Sequence, residues 1–377
     1  MKIAVPVERY PQEGRVAATP ETVKKYKAMG FDVVVEKNAG LASRFIDDEY
    51  VAAGATLAPD MASTFADADV VLMVRRPLAE ERSLMKKGAT VITMADPHAH
   101  KDDIKAMAEA GLTTFTMEFM PRITRAQVMD VLSSQANLAG YQAVVEATYA
   151  YHRAFPMMMT AAGTVPAARV FVMGAGVAGL QAIATARRLG AVVTATDVRP
   201  AAKEQVASLG AKFIAVEDDE FKAAETAAGY AKPMSAEYQA KQAKLVAEHI
   251  KKQDVVITTA LIPGRQAPRL VTAEMVASMK PGSVLVDLAV EHGGNVEGSV
   301  PGEVVDTANG VAIVGYVNLA AKIPASASAL YSKNLLAFFE TLVDKETKTF
   351  APKWDDDIVK ATLITRDGAI VHPALLS

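Results

Sequence analysis

The hydrophobic residues of this chain fall into short continuous runs, and helical patterns separate most of them. Continuous apolar runs of this length are typical of strands buried on both faces of a parallel sheet. The first group of runs predicts strands at 2–6, 31–36, 70–74, 90–94 and 113–117. The second group predicts strands near 170–173, 191–196, 212–216, 254–259, 283–288 and 311–315. Strands alternating with helices predict an α/β fold with two mostly parallel sheets.

A helical pattern with few breaks runs from Thr124 to Phe155 between the two groups. Such a helix would be on the order of 45 Å long, enough to bridge two domains, with Gly140 as its weak point. The three methionines that follow, Met157 to Met159, are predicted to fill core space. A last helix at 324–342 and a hairpin about Asp367-Gly368 are predicted to return to the first domain. The predicted domains are therefore 1–133 with 324–377, and 134–323.

The apolar run from Val170 to Met173 ends in the pattern Gly174-x-Gly176-x-x-Gly179, and a later run ends at Asp197. In dinucleotide-binding domains the first glycine permits the turn, the second lets a pyrophosphate approach, and the third packs the helix on the sheet. An acid after the second strand accepts hydrogen bonds from a ribose 2′-hydroxyl and repels a 2′-phosphate. We therefore predict two doubly wound, Rossmann-like domains with a cleft between them, and a site that prefers NAD to NADP.

Composition excludes several other classes of protein. The chain has 377 residues, 51% of them hydrophobic, with 40 basic and 43 acidic residues and no cysteine. No block of like charge predicts binding to nucleic acid or an anionic membrane, and the lack of cysteine excludes disulfides and thiolate metal sites. The histidines do not form spaced metal-binding pairs apart from His98-x-His100, so no metal is predicted. No uncharged window supplies the ~20 apolar residues of a spanning helix, so we expect a soluble chain without a membrane span.

The connection from 217 to 234 is longer than the ~2–6 residues usual in such folds. It is acidic, rich in alanine and glycine, and contains Tyr230. This composition predicts a mobile lid or docking loop. A short extra helix without a functional role is the alternative.

Over nearly its whole length the sequence resembles the alanine dehydrogenase and pyridine nucleotide transhydrogenase superfamily. The matching segments include Pro6-Val-Glu-Arg, Gly14-Arg15-Val-Ala, Asp67-Ala-Asp-Val-Val, the glycine pattern, Ala260-Leu-Ile-Pro-Gly264 and Lys280-Pro-Gly-Ser-Val-Leu-Val-Asp287. Similarity is greater to the transhydrogenase branch, through Met120-Pro-Arg122-Ile-Thr-Arg-Ala-Gln127, Phe155-Pro-Met-Met-Met-Thr and the tail Thr365-Arg-Asp-Gly-Ala-Ile-Val. The resemblance implies a subunit that binds NAD(H) and passes hydride to NADP⁺ held on a partner subunit.

The resemblance also implies the residues of the site. Arg122, Gln127, Asp130 and Ser133 would come from the first domain to the nicotinamide end of NAD(H). Other nucleotide contacts are expected at Gly174, Gly176, Val177, Ala178, Gly179, Asp197, Val198, Arg199, Tyr230 and Ala260. The residues themselves offer an alternative for one segment, because Thr124-x-x-Gln127 fits a capping box at a helix start. Arg15 is a further candidate.

The chemistry of the two branches differs. An amino-acid dehydrogenase needs a general acid or base and a cation for the substrate carboxylate. Where alanine dehydrogenases carry a lysine and a histidine, this chain has Arg75 and Asp96, and arginine does not exchange protons at neutral pH. His98 and His100 lie just beyond and leave the exclusion incomplete. Hydride transfer between two nicotinamide rings needs neither group, which favours the transhydrogenase branch.

The resemblance further implies NADP(H)-binding and membrane-spanning partner subunits, proton translocation on those partners, and a homodimer. The expected location is cytoplasmic, peripheral to the inner membrane through the partners. The alternatives are an alanine-dehydrogenase-like enzyme acting alone on a 2-oxo acid, and a nucleotide-binding sensor without chemistry.

Overall fold

The computed structural model describes residues 1–222, 234–261, 264–344 and 346–376. Its chain divides into two compact units. The first unit is Met1–Gln135 together with Ala320–Ser377, and the second is Ala136–Leu319. Within the described residues, no helix combines the length and the apolar character needed to cross a membrane.

The amino-terminal portion of the first unit alternates strands and helices. Its strands are β1 Lys2–Val5, β2 Asp32–Glu36, β3 Thr56–Ala58, β4 Val70–Arg75, β5 Thr90–Met94 and β6 Thr113–Thr116. Its helices are α1 Pro20–Ala28, α2 Asp47–Ala52, α3 Met61–Phe65, α4 Ala79–Leu84 and α5 Lys101–Glu109. The strands pair in parallel in the order β6-β5-β4-β1-β2-β3. The predicted strands are confirmed, and β3 is an edge strand that the sequence pattern did not indicate.

The sheet of the first unit is apolar on both faces because each strand contributes alternate residues to two cores. Val70 and Leu72 of β4 lie in one buried cluster, whereas Val71 and Met73 lie in the other. The sheet is therefore packed on both sides, as a parallel sheet requires.

The second unit contains a longer sheet and a separate two-stranded hairpin. Its helices are α6 Val131–Tyr151, which begins in the first unit, α7 Val177–Arg188, α8 Ala202–Ser208, α9 Asp219–Lys222, α10 Ala236–Ile250 and α11 Ala273–Ala277. Its strands are β7 Met158–Thr160, β8 Gly163–Val165, β9 Arg169–Met173, β10 Val192–Thr196, β11 Lys212–Phe213, β12 Val255–Thr258, β13 Val284–Asp287, β14 Val304–Asp306 and β15 Ala312–Val314. The sheet order is β11-β10-β9-β12-β13-β15-β14, with only β14 antiparallel among the described strands. This is the doubly wound order, with a topological switch point between β9 and β12.

The carboxyl-terminal portion of the chain completes the first unit. Its elements are α12 Pro324–Thr341, β16 Val343–Asp344, β17 Thr349–Phe350, α13 Asp357–Thr362, β18 Leu363–Arg366 and β19 Ala369–Ile370. Strand β18 pairs antiparallel with β6 and with β19. Asp367 and Gly368 connect β18 to β19 with φ of 51° and 79°, as a two-residue hairpin turn requires. The predicted hairpin is confirmed.

The predicted helix from Thr124 to Phe155 is too long. Thr124–Met129 forms a 3₁₀ helix, and the α-helix that follows has 21 residues, which is about 32 Å. The two are separated at Asp130, whose ψ of 92° departs from helical geometry. The prediction that Met157 to Met159 fill core space is also wrong, since all three side chains are exposed.

Candidate functional site

The turn after β9 is built around the three glycines of the sequence pattern. Gly174 has a φ of +107°, and a Cβ there would lie 2.4 Å from Oγ1 of Thr259. A Cβ on Gly179 would lie 1.8 Å from the carbonyl oxygen of Gly174, so only glycine lets α7 start this close to the turn. A Cβ on Gly176 would meet no atom within 4 Å. The fold therefore explains Gly174 and Gly179, and it leaves open space beside Gly176.

Helix α7 begins directly after Gly176, which is exposed in extended geometry. The first amide groups of a helix lack internal acceptors and carry the positive end of the helix dipole. With Gly176, Val177 and Ala178 at this position, the turn can receive a phosphate close to the backbone.

Asp197 lies just beyond β10, and its carboxylate accepts four hydrogen bonds. Oδ2 accepts one from the backbone N–H of Ala175 (2.7 Å), inside the glycine turn. Arg199 donates the other three, from its backbone N–H and Nε to Oδ1 (2.9 Å each) and from Nη2 to Oδ2 (3.0 Å). The structure thus places Asp197 and Arg199 beside the turn, while the side chain of Val198 is exposed.

Two polar residues that the sequence did not single out support the far side of the turn. Buried Asn295 accepts a hydrogen bond from the N–H of Ala260 (3.0 Å) and donates to its carbonyl (2.9 Å). Asp287, also buried, accepts from the N–H groups of Ala289 and Val296. The available signals were the glycines before Asn295 and the position of Asp287 at the end of a predicted strand, as for Asp197.

Gly140 of α6 is a contact point rather than a bend. A Cβ there would lie 2.1 Å from the carbonyl oxygen of Ala178. The absence of a side chain lets α6 pack directly against the first turn of α7. Gly140 therefore helps to position the amino terminus of α7, a role that the sequence did not reveal.

In the first unit, the structure brings together Asp130 and Ser133. The Asp130 carboxylate accepts hydrogen bonds from the backbone N–H of Ser133 (2.9 Å) and from its hydroxyl (2.5 Å), which caps the start of α6. The capping box predicted for Thr124 and Gln127 is wrong, since Thr124 lies inside the 3₁₀ helix and Ile123 precedes it without a side-chain cap.

Arg122 and Gln127 are exposed at either end of this segment. Among the described residues, the Gln127 side chain makes no hydrogen bond that would fix it. Its amide is therefore available to a ligand.

Arg15 is buried, contrary to the expectation for a loop arginine. Its Nε and Nη2 donate to the two oxygens of Glu13 (2.7 Å each), and Nη1 donates to Oε1 of Gln135 (2.8 Å). Arg75 Nε lies 3.4 Å from the same Glu13 carboxylate. Burial opposes ionisation of Glu13, but the hydrogen bonds and charge of Arg15 outweigh it and lower the pKa of that carboxyl. Both cations are therefore engaged by a carboxylate of the chain itself.

The polar loop after β5 holds the residues that take the place of the dehydrogenase histidine. Asp96 has a φ of +46°, and its carboxylate lies 3.6 Å from Nε2 of His100. Burial, followed by the charge of Arg76, lowers the pKa of His100. His98 packs on the ring of Phe119, with centroids 5.3 Å apart. Both histidines thus have structural partners in the first unit.

Two predicted features lie outside the described residues. Tyr230 and the centre of the predicted lid fall in 223–233. On the flanks of this segment, Glu220 accepts hydrogen bonds from the N–H and the hydroxyl of Ser235.

Two family models match the sequence on either side of the middle of α6. The model described as "Alanine dehydrogenase/PNT, N-terminal domain" matches residues 4–139, and "Alanine dehydrogenase/PNT, C-terminal domain" matches residues 143–373. PNT stands for pyridine nucleotide transhydrogenase. The chain belongs to the alanine dehydrogenase/PNT family.

Within the alanine dehydrogenase/PNT family, transhydrogenases are more similar to this chain than an alanine dehydrogenase is. An NAD(P) transhydrogenase subunit alpha of Rhodospirillum rubrum is 55% identical over 100% of this chain and 99% of that protein. The crystal structure of transhydrogenase from Sinorhizobium meliloti is 63% identical, with a TM-score of 0.90 over 98% of this chain and 100% of that chain. Alanine dehydrogenase of Halomonas elongata is 31% identical over 100% of this chain and 96% of that protein.

Proposed function

We propose that this chain is the NAD(H)-binding subunit of a proton-translocating transhydrogenase and passes hydride from NADH to NADP⁺ on a partner subunit. The open backbone at Gly176 and the start of α7 fit a pyrophosphate, and Asp197 fits a ribose. The transhydrogenase relatives support the reaction. The observation that carries the choice within the family is the engagement of Arg15 and Arg75 by Glu13.

That observation weighs against the rival amino-acid dehydrogenase. A 2-oxo acid needs a cation for its carboxylate and a group that exchanges a proton with its nitrogen or oxygen. Here Glu13 takes the place of a substrate carboxylate at Arg15, with two 2.7 Å bonds. At Arg75 and Asp96 the chain holds an arginine and an acid instead of the lysine and histidine. The first unit is therefore poorly equipped for that chemistry.

The proposed reaction requires little acid–base chemistry from the chain. NADH, when bound, supplies a hydrogen with both electrons of its C–H bond, and a new C–H bond forms on the nicotinamide of NADP⁺. No oxygen or nitrogen gains or loses a proton in that transfer. The residues of the chain need only hold one ring close to the other, in the correct orientation and away from water.

We assign the nicotinamide end to Arg122, Gln127, Asp130 and Ser133. The exposed Gln127 amide and the rigid Asp130–Ser133 cap support this assignment. The remaining contacts proposed are Gly174, Gly176, Val177, Ala178, Gly179, Asp197, Val198, Arg199, Tyr230 and Ala260. Cytoplasmic location at the inner membrane, through NADP(H)-binding and membrane-spanning partners, belongs to the same proposal.

The division into domains 1–133 with 324–377, and 134–323, is also proposed. It is supported by the two compact units, whose boundaries lie after Gln135 and Leu319. A homodimer is proposed as well, and the exposed methionines Met157 to Met159 support it as apolar surface for a second copy to cover.

Assays of the purified chain separate the proposed function from its rivals. With NADH and an NADP(H)-binding transhydrogenase subunit, we expect hydride transfer to NADP⁺. With NADH, pyruvate and ammonia alone, we expect no turnover. Turnover with pyruvate would indicate the dehydrogenase, and nucleotide binding without either reaction would indicate a sensor.

A further inference from the structure

The acceptor capacity of Asp197 is already used within the chain. A carboxylate offers about four lone-pair sites, two on each oxygen. Ala175 N–H takes one site, and the backbone N–H, Nε and Nη2 of Arg199 take the other three. A ribose hydroxyl can donate to Asp197 only where one of these donors leaves.

The Arg199 side chain is the donor that can leave. Its side chain is 33% exposed, whereas that of Asp197 is 7% exposed, so the guanidinium covers the acid from the solvent side. The backbone donors of Ala175 and Arg199 belong to the turn and cannot move without it. A single further bond, from Nη2 of Arg199 to the carbonyl of Ala175 (3.1 Å), holds the guanidinium in place.

We propose that Arg199 determines both the affinity and the selectivity of the nucleotide site, by competing with the ribose for Asp197. The inference rests on the proposed function, since it concerns the same NAD(H) site. It gives Arg199 a role opposite to that of a simple contact, because the guanidinium must turn away from Asp197 before the ribose can bond there.

The competition lowers affinity by a definite route. When only a fraction of the molecules is competent, the apparent dissociation constant is the intrinsic constant divided by that fraction. A partly exposed ion pair is weak, so the closed arrangement costs only a modest factor in affinity. Weak binding suits a site that exchanges NADH for NAD⁺ at every turnover, because release of the product is then fast.

The same pair affects selectivity. An isolated Asp197 would repel the 2′-phosphate of NADPH through its full negative charge. With Arg199 beside it, the local charge is close to neutral, and a displaced guanidinium is free to meet the phosphate. Arg199 therefore weakens discrimination against NADPH, which the acid alone would enforce.

Binding measurements on the full chain test this inference. Arg199→Met keeps the length of the stem and removes the charge and the donors, whereas Arg199→Lys keeps the charge and loses the two-pronged geometry. We expect Arg199→Met to bind NADH about threefold to tenfold more tightly and to widen the preference over NADPH. Arg199→Lys should bind NADH somewhat more tightly than the wild type without widening the preference. Arg188→Met, at the exposed end of α7, is the matched control and should change neither constant.

The reciprocal variant is Asp197→Ala, which should narrow the gap between NADH and NADPH because Arg199 is released to a 2′-phosphate. Unchanged or weaker NADH binding in both Arg199 variants, with melting temperatures near that of the wild type, would overturn the inference. An unchanged gap in Asp197→Ala would overturn it as well. Failure of the wild-type chain to bind NADH at all would instead contradict the proposed function. Titration of NADH fluorescence, with NADPH measured in parallel, gives every constant needed.

Discussion

The three glycines of the nucleotide turn illustrate how differently one residue type can be required. At Gly174 a positive φ and the Thr259 hydroxyl exclude a side chain, and at Gly179 the carbonyl of Gly174 does so. Neither reason involves a ligand. Gly176 has no such internal reason, and a Cβ there would point into open space. Approach of a pyrophosphate to the backbone is the physical account that remains for Gly176.

Gln127 is expected to act on the nicotinamide ring and not on stability. Because its side chain makes no fixing hydrogen bond among the described residues, Gln127→Asn should barely change the melting temperature. A shorter amide would misplace the ring, and a displacement of about 1 Å can reduce a transfer rate on the order of a hundredfold. NADH affinity should fall much less, because the contacts at Gly176 and Asp197 remain.

Gln205→Asn, on an exposed position of α8, is the matched control for that variant. Melting temperature, NADH affinity and single-turnover transfer should be measured on both proteins. A lowered melting temperature with normal transfer in Gln127→Asn would remove Gln127 from the site.

Glu8 is expected to make stability depend on pH near neutrality. Burial of its carboxyl, followed by the charge of Glu13, raises the pKa of Glu8 from 4.5 to about 8, against the opposing hydrogen bonds from the N–H groups of Val74 and Arg75. The folded state thus holds a proton that the unfolded state has already lost between these values. This contribution to stability is complete below about pH 4.5 and is lost as the pH rises through 8.

The Glu8→Gln variant keeps a neutral side chain at every pH. Its melting temperature should therefore fall less than that of the wild type between pH 5.5 and pH 8.5, and the two curves should diverge most at the upper end. Glu80→Gln, an exposed neighbour on α4, should follow the wild-type curve. Parallel curves for Glu8→Gln and the wild type would show that Glu8 does not carry the effect.

At the scale of elements, the contact of α6 with α7 connects packing to nucleotide binding. Gly140→Ala adds a methyl group 2.1 Å from the carbonyl of Ala178, so one helix must shift. We expect a loss of stability of about 1–3 kcal/mol, as is typical of overpacking, and weaker NADH binding because the start of α7 moves. Thermal unfolding and NADH titration check both. Normal binding in a destabilised protein would show that the contact supports the fold alone.

The sequence predicted the elements that physical periodicity reveals. Buried parallel strands such as β4 and β9 read as continuous apolar runs, and the Asp367-Gly368 turn has a strong hairpin pattern. Edge strands escaped, because β3 and β14 have three residues each and lack a continuous apolar run. The start of α6 was misplaced because capping by Asp130 depends on a backbone turn that an uninterrupted helical pattern conceals.

The site was predictable where its residues lie close together in the sequence. The glycine pattern and Asp197 form one local motif, so they could be found together. The support of Ala260 by Asn295 spans 35 residues and arises only from the sheet topology. The engagement of Arg15 and Arg75 by Glu13, and the competition of Arg199 for Asp197, depend on side-chain directions that a sequence pattern does not contain.

At the scale of the whole molecule, the hairpin β7–β8 calls for a physical explanation. Its two strands pair only with each other among the described strands. An isolated two-stranded hairpin is marginally stable in water. Its methionines are nevertheless exposed, with Met157 at 61% and Met159 at 78%. Hydrophobicity alone predicted that these side chains would be buried, but burial against a second copy satisfies the same physical preference as burial in the core.

We therefore expect the hairpin to contribute to the proposed homodimer. The double variant Met157→Ser with Met159→Ser removes apolar area from the contact and should weaken dimerisation by about tenfold or more. The matched control is Leu41→Ser with Val51→Ser, which changes two exposed apolar residues of the first unit and should leave dimerisation unchanged. Sedimentation over a dilution series gives the dissociation constants, and NADH titration verifies that each variant is folded. A wild-type chain that is monomeric at all concentrations would contradict the homodimer, whereas a methionine variant that dimerises like the wild type would place the contact elsewhere on the surface.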